Sequence, residues 1–139
     1  MIVLDTNVVS ALMTQDLTSP VHQWLATQRP SRIWITSITV MEVWAGICQM
    51  PLGRRRHAIE AGFESIIANR LADRVLSFDH QAAIATAELS ARRYREGRPV
   101  DLADTQISGV VISRRATLAT RNSSHYSDIG RPVIDPWTG

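Results

Sequence analysis

The sequence predicts an α/β domain built on a mostly parallel central sheet of about five strands, flanked by helices. Short runs of β-forming residues alternate along the chain with stretches whose apolar residues recur at helical spacing, and strands separated by helices must be joined by crossovers. The 139 residues, 45% of them hydrophobic, suffice for one core. They contain no repeat, low-complexity tract or Gly/Ser linker, so a single domain over residues 1–139 is expected. A lone Cys48 excludes an internal disulfide, a Cys-rich zinc site and a CxxC redox motif, which makes a reducing, cytoplasmic setting the default.

Ile2 to Leu4 is a short apolar run suited to a buried strand. It leads into the polar turn Asp5-Thr6-Asn7 and then a helix through Val8 to Met13. Ser19-Pro20 opens a second helix, in which Val21, Trp24 and Leu25 recur at helical spacing until the pattern stops near Pro30. Ile33-Trp34-Ile35-Thr36, mostly β-formers, is the second strand, and Ser37 is placed to cap the helix that follows. That helix is expected from about Thr39 to Gln49. After the break at Pro51-Leu52-Gly53 another runs from Arg54 to Asn69, and the two read as a helical hairpin. Val75-Leu76-Ser77-Phe78 is the third strand. Asp79 caps a long amphipathic helix carrying Ala82, Ala83, Leu89 and Tyr94 until Gly97 ends it. Asp101 opens the last helix, which ends near Arg115. Thr117-Leu118-Ala119-Thr120 and Pro132-Val133-Ile134 supply the fourth and fifth strands.

The formal charge of +2 is too small to identify a partner. All 15 basic residues are Arg. Guanidinium groups match phosphate oxygens, but an Arg-only set is also what GC-rich coding produces, and the compositional reading takes precedence. The absence of Lys excludes any mechanism that needs a catalytic or phosphate-gripping lysine. The opening Met1-Ile2-Val3-Leu4 lacks a basic leader, and no apolar run approaches the roughly 20 residues of a membrane helix; neither a signal peptide nor a membrane association is expected. Arg54-Arg55-Arg56-His57 reads as a solvated helix start rather than a track for nucleic acid. His22, His57 and His80 have no partner at helical spacing and read as ordinary surface or core residues. Trp24, Trp34, Trp44 and Trp137 are expected in the core or at an interface, and the stripe on the Asp79 helix could bury against a second subunit.

In an open α/β sheet the ligand crevice lies beyond the carboxyl ends of the strands. Asp5 follows the first strand, Asn122 follows the fourth, Asp104 lies in the first turn of the helix leading to it, and Glu42 sits one turn into the helix after the second strand. If these converge, carboxylates and an amide meet with no Lys or Cys nearby. Packed carboxylates repel, and a divalent cation relieves them; oxygen-only donors suit Mg²⁺ or Mn²⁺ rather than zinc. Each acid also has a plainer role. Asp5 could be a turn or cap residue, Glu42 could point to water from an otherwise apolar stretch, and of Asp101 and Asp104, three apart, one is the helix cap.

Together, Leu4-Asp5-Thr6-Asn7, the segment Ser37-Ile38-Thr39-Val40-Met41-Glu42, Asp101-Leu102-Ala103-Asp104-Thr105-Gln106-Ile107, Leu118-Ala119-Thr120-Arg121-Asn122 and the closing Pro136-Trp137 resemble the PIN-domain family. The resemblance runs end to end and is greatest to its bacterial toxin branch, the VapC and FitB-like proteins. It implies a parallel-sheet fold and a Mg²⁺- or Mn²⁺-dependent ribonuclease. It also implies a cognate small antitoxin that blocks the enzyme, contact with operator DNA only through the antitoxin complex, and a homodimer. Asp5, Glu42 and Asp104 match the family's acidic triad. The fourth acidic position is here Asn122, and His125 stands where many relatives have Asp, so the expected picture is one well-held ion with a second recruited by the RNA phosphate. Asp5 and Asp104 would hold the ion, Glu42 would complete the cluster or orient the attacking water, and Asn122 with Thr120 would position water or phosphate.

Two other readings fit parts of the pattern. Receiver domains and haloacid-dehalogenase-like phosphatases also place an Asp after the first strand, but the former need a lysine and the latter a second Asp where this chain has Asn7. A catalytically silent PIN-like module that only binds an antitoxin or RNA is the remaining alternative.

Overall fold

The computed structural model describes residues 1–14, 16–99 and 101–138. Strands β1 (Ile2–Leu4), β2 (Ile33–Thr36), β3 (Val75–Leu76), β4 (Thr117–Ala119) and β5 (Val133–Ile134) form one parallel sheet in the order β3-β2-β1-β4-β5. Helices α1 (Thr6–Leu12), α2 (Pro20–Ala26), α3 (Ser37–Cys48), α4 (Arg54–Ser65), α5 (His80–Arg95) and α6 (Leu102–Ser113) make the crossovers. The chain moves outward from β1 to β2 and β3, then returns to lay β4 on the other side of β1, with Ile2 in register with both Ile33 and Thr117. The order therefore reverses between β1 and β4, where the carboxyl ends of the strands open a crevice.

Both faces of the sheet are covered, which is why β1 reads as continuous apolar sequence rather than as an alternation. Ile2 and Leu4 pack with Val8, Val9, Val21, Val43 and Phe63 on one face. Val3 packs with Leu89, Ile107, Val110 and Leu118 on the other. Trp24, Trp34 and Trp137 pack half-buried against these cores, and Trp44 is exposed, tilted against Phe63 with ring centroids 6.4 Å apart. No described helix is long and apolar enough to cross a membrane.

Several element ends differ from expectation. Helix α2 stops at Ala26, and a 3₁₀ turn at Pro30–Arg32 feeds β2. Helix α4 passes at Ile66–Arg70 into a π-helical turn, and β3 is reduced to its first two residues. Thr36, not Ser37, caps α3: its extended backbone (φ −104°, ψ 160°) is what the position needs, and its side chain accepts from Thr39 N at 3.2 Å. Ser37 Oγ instead accepts from Phe78 N at 3.0 Å and ties the exit of β3 to α3. Asp79 caps α5, and Gly97, with φ +67°, follows its end as expected.

Among the described residues, helices α5 and α6 share the most extensive helix–helix packing. A Cβ on Gly109 of α6 would lie 2.7 Å from the carbonyl oxygen of Ala82 and would run into the Thr86 hydroxyl, which is itself bonded to that carbonyl. Backbone on one side leaves nothing that can yield without moving a helix. Gly109→Ala is therefore expected to cost about 1–3 kcal/mol in a urea titration of the purified protein. An unchanged midpoint would mean that the two helices separate freely.

Candidate active site

Asp5 is the first residue beyond β1 and is 3% exposed. It is both cap and site residue, one oxygen for each task. Oδ1 accepts from Thr6 N at 2.8 Å and caps α1. Oδ2 accepts from the Thr120 hydroxyl at 2.7 Å, the Tyr126 hydroxyl at 3.0 Å and, more weakly, Asn7 Nδ2 at 3.4 Å. Thr120 stands just beyond β4, so the pairing of β1 with β4 is what brings these groups together.

Glu42 enters from α3, half-buried, and its Oε1 accepts from the Thr6 hydroxyl at 2.6 Å; Thr39 Oγ1 lies 3.0 Å from the same hydroxyl. Asp104 enters from the first turn of α6, with Asp101 as the cap: Asp104 N donates to Asp101 Oδ1 at 3.0 Å. Burial holds the Asp104 carboxyl above its ordinary range, and the charges of Asp5, Asp101 and Glu42 push the same way, against a hydrogen bond from Tyr126. The three acids thus share one field. Burial first, then the charges of Asp5 and Asp104, raise the Tyr126 hydroxyl far above its usual value and keep it a neutral donor.

Asn122 sits exposed at the mouth. Its backbone N–H donates to Thr120 Oγ1 at 3.1 Å and its carbonyl accepts from His125 N; among the described residues its side chain takes no hydrogen bond. His125 Nδ1 lies 3.9 Å from Asp104 Oδ2. Of the site residues expected from sequence, Asp5, Glu42 and Asp104 come together, and Asn122 borders them.

A buried clamp, absent from the sequence reading, holds the segment that carries His125 and Tyr126. Arg93 of α5, 3% exposed, donates from Nε and Nη2 to the two carboxylate oxygens of Asp128, both at 2.9 Å. It also donates to His125 O and Thr105 Oγ1, each at 3.1 Å. The hydrogen bond to Asp128 raises the guanidinium, and the bond from Arg93 lowers the Asp128 carboxyl. Arg93 had one signal in the sequence: it falls on the face of α5 shared by the buried Ala82, Thr86 and Leu89. Tyr126 had none.

The donors at the centre are all oxygens. Among the described residues no three carboxylate, imidazole or thiol side chains stand close enough to enclose an ion, so the cluster is open. An open set fits Mg²⁺ or Mn²⁺, which keep several waters and use one or two carboxylates, and the repulsion on Asp104 is what a cation would relieve.

Comparison with known proteins gives consistent results. A sequence model described as PIN domain matches residues 2–131. The chain is 36% identical over 137 residues to the plasmid stability protein StbB of Pseudomonas syringae pv. tomato, covering 99% of each chain. It is 34% identical to the VapC ribonuclease Y4jK of Sinorhizobium fredii, covering 99% of this chain and 98% of that one. In structure it resembles a chain of the DNA-bound VapBC from Salmonella typhimurium, with a TM-score of 0.80, 32% identity and 97% of each chain covered.

The raised Asp104 carboxyl has a thermodynamic sign. The folded state keeps this proton to higher pH than the unfolded chain does, so stability falls as pH rises from the ordinary carboxylate range through the raised value. Asp104→Asn is expected to raise the thermal midpoint in EDTA at neutral pH, with the gain vanishing below the ordinary Asp value of about 3.9. Equal midpoints at neutral pH would mean that the charge is not repelled. Asp128→Ala leaves a guanidinium buried without its partner and is expected to cost about 3–5 kcal/mol in denaturant unfolding. A loss below about 1 kcal/mol would put the pair with exposed ion pairs in strength.

Proposed function

The chain belongs to the PIN-domain family, and from that premise we propose that it is the ribonuclease toxin of a toxin–antitoxin pair, hydrolysing RNA phosphodiester bonds at Asp5, Glu42 and Asp104. The observation that carries this reading is that three acids from separate elements meet in one field at the β1/β4 reversal, where burial first and then the charges of Asp5, Asp101 and Glu42 raise Asp104. The ribonuclease name of a relative matching nearly the whole chain supports the reaction class.

Asp5 and Asp104 are the residues to hold Mg²⁺ or Mn²⁺, with Glu42 beside them. When bound, such an ion acidifies water to a nucleophile near neutral pH and offsets charge on the phosphate. The protein's own part is orientation. Thr120 and Tyr126 fix the Asp5 carboxylate, and Thr6 fixes Glu42, leaving its other oxygen to direct the attacking water. Thr120 is committed to Asp5, so the solvent-facing Asn122 is the residue that positions water or phosphate. With a neutral amide at this fourth position, Asp5, Glu42 and Asp104 would hold one ion in the free protein, and a second would be recruited by the RNA phosphate. Without metal the pocket is acidic and would repel RNA, so metal would act on binding as well as on cleavage.

The partners follow from the same reading: a small antitoxin that blocks the site, operator DNA contacted through the complex, and a second copy of the chain, in the cytoplasm. A solved DNA-bound VapBC complex of high similarity supports the first two.

Cleavage of a mixed pool of structured RNAs by antitoxin-free protein, with Mg²⁺, Mn²⁺ or EDTA, tests the proposal. Asp5→Asn should keep its fold, because the amide oxygen can still cap Thr6 N while the Tyr126 hydroxyl turns to accept from the new amide, and should abolish metal-dependent cuts. Wild-type cleavage by the folded variant would sink the site assignment. Metal binding without cleavage of any RNA would favour the silent binding module.

A further inference from the structure

Next to Asp104 the surface opens into a cavity of ≈ 270 Å³ lined by groups of both charges. Asp101 and Asp104 line it together with Arg93, Arg98, Ser124 and His125. The two guanidiniums share one carboxylate, since Arg98 Nη1 meets Asp128 Oδ2 at 3.0 Å while Arg93 already spans both Asp128 oxygens. This group therefore carries surplus positive charge. Only Arg98 brings it to solvent: its side chain is 31% exposed against 4% for Arg93. One ion pair fixes Arg98 without using up its five donors, and Ser124 and His125 add exposed donors at the rim.

An RNA strand whose scissile phosphate lies at the acidic cluster has its next phosphate one nucleotide away, and that second negative charge cannot rest on the Asp101 and Asp104 carboxylates. Building on the ribonuclease reading above, we propose that this cavity is a subsite for the nucleotide next to the scissile bond, with Arg98 holding its phosphate. Arg98 is then a substrate-positioning residue. Its guanidinium answers how an acidic centre retains a polyanion: attraction is placed beside the reacting atoms and not among them.

Two measurements test this. In steady-state cleavage, Arg98→Ala should raise KM about tenfold with kcat little changed, and Arg98→Lys should recover part of the loss. In fluorescence anisotropy with a labelled single-stranded RNA, adding Arg98→Ala to the Asp5→Asn protein should weaken binding and lower the slope of log affinity against log salt by about 0.7, one phosphate contact. Arg95→Ala, an exposed charge on the same helix, serves as the control and should leave the slope unchanged. Loss of kcat and thermal stability with KM and salt slope intact would show that Arg98 only tethers Asp128, and would overturn the proposal. Cleavage by wild type with no effect of Arg98→Ala on KM or slope would overturn the subsite and leave the ribonuclease reading standing. An Arg98-dependent slope in a wild-type protein that cuts no RNA would defeat the hydrolase reading and overturn the subsite as one placed beside a scissile bond.

Discussion

Everything near the centre of this protein answers to one buried carboxylate. Asp5 lies at the carboxyl end of the central strand, almost shut off from water, and such a group needs several hydrogen-bond donors. No single segment can supply them. Thr6 is its neighbour, Thr120 stands at the end of another strand and Tyr126 lies in the segment beyond. Satisfying Asp5 therefore requires β4 beside β1, and it requires the segment after β4 to fold back over the crevice. The Arg93–Asp128 clamp holds that segment by anchoring it to α5, so the core helices and the acidic centre are mechanically continuous.

The same centre shows a stability cost tied to function. Asp104 sits where burial and three neighbouring acids disfavour its charge, and among the described residues no basic side chain is hydrogen-bonded to it. The arginines instead stand a few ångströms back, around Asp128. Separating the charges in this way keeps carboxylate oxygens available to a cation, at the expense of the metal-free fold. The all-Arg basic set, which composition alone could not connect to any function, acquires a local role here because a fork of donors can hold Asp128 and still face solvent.

The alternation of strands and helices was legible because each element carries its own period and its own stop, and Asp79, Gly97 and Asp101 fall where those stops are. The acids Asp5, Glu42 and Asp104 were legible because the crevice of a parallel sheet lies at strand ends, and because their surrounding motifs resemble a known family. What escaped depended on contacts between distant residues. Tyr126 meets Asp5 across most of the chain, and nothing in its local sequence distinguishes it from an ordinary core aromatic. Arg93 sits on a buried face, where an amphipathic reading expects an apolar residue and would place a charge outside. The Thr36 and Ser37 exchange of roles turned on backbone angles at a strand end, and β3 is too short for a period to fix its limits.

Strand β1 is first in the chain and central in the sheet, and its partner β4 comes more than a hundred residues later. During synthesis Asp5 and Glu42 emerge long before Thr120 and Tyr126, and Asp104 shortly before them, so the nascent chain carries its first acids without the framework that aligns them. Contacts of such sequence separation form late. A prematurely terminated chain ending before β4 would hold Asp5, Glu42 and Asp104 and yet lack the strand that closes the crevice. The topology thus leaves the acidic centre unassembled until β4 has been made.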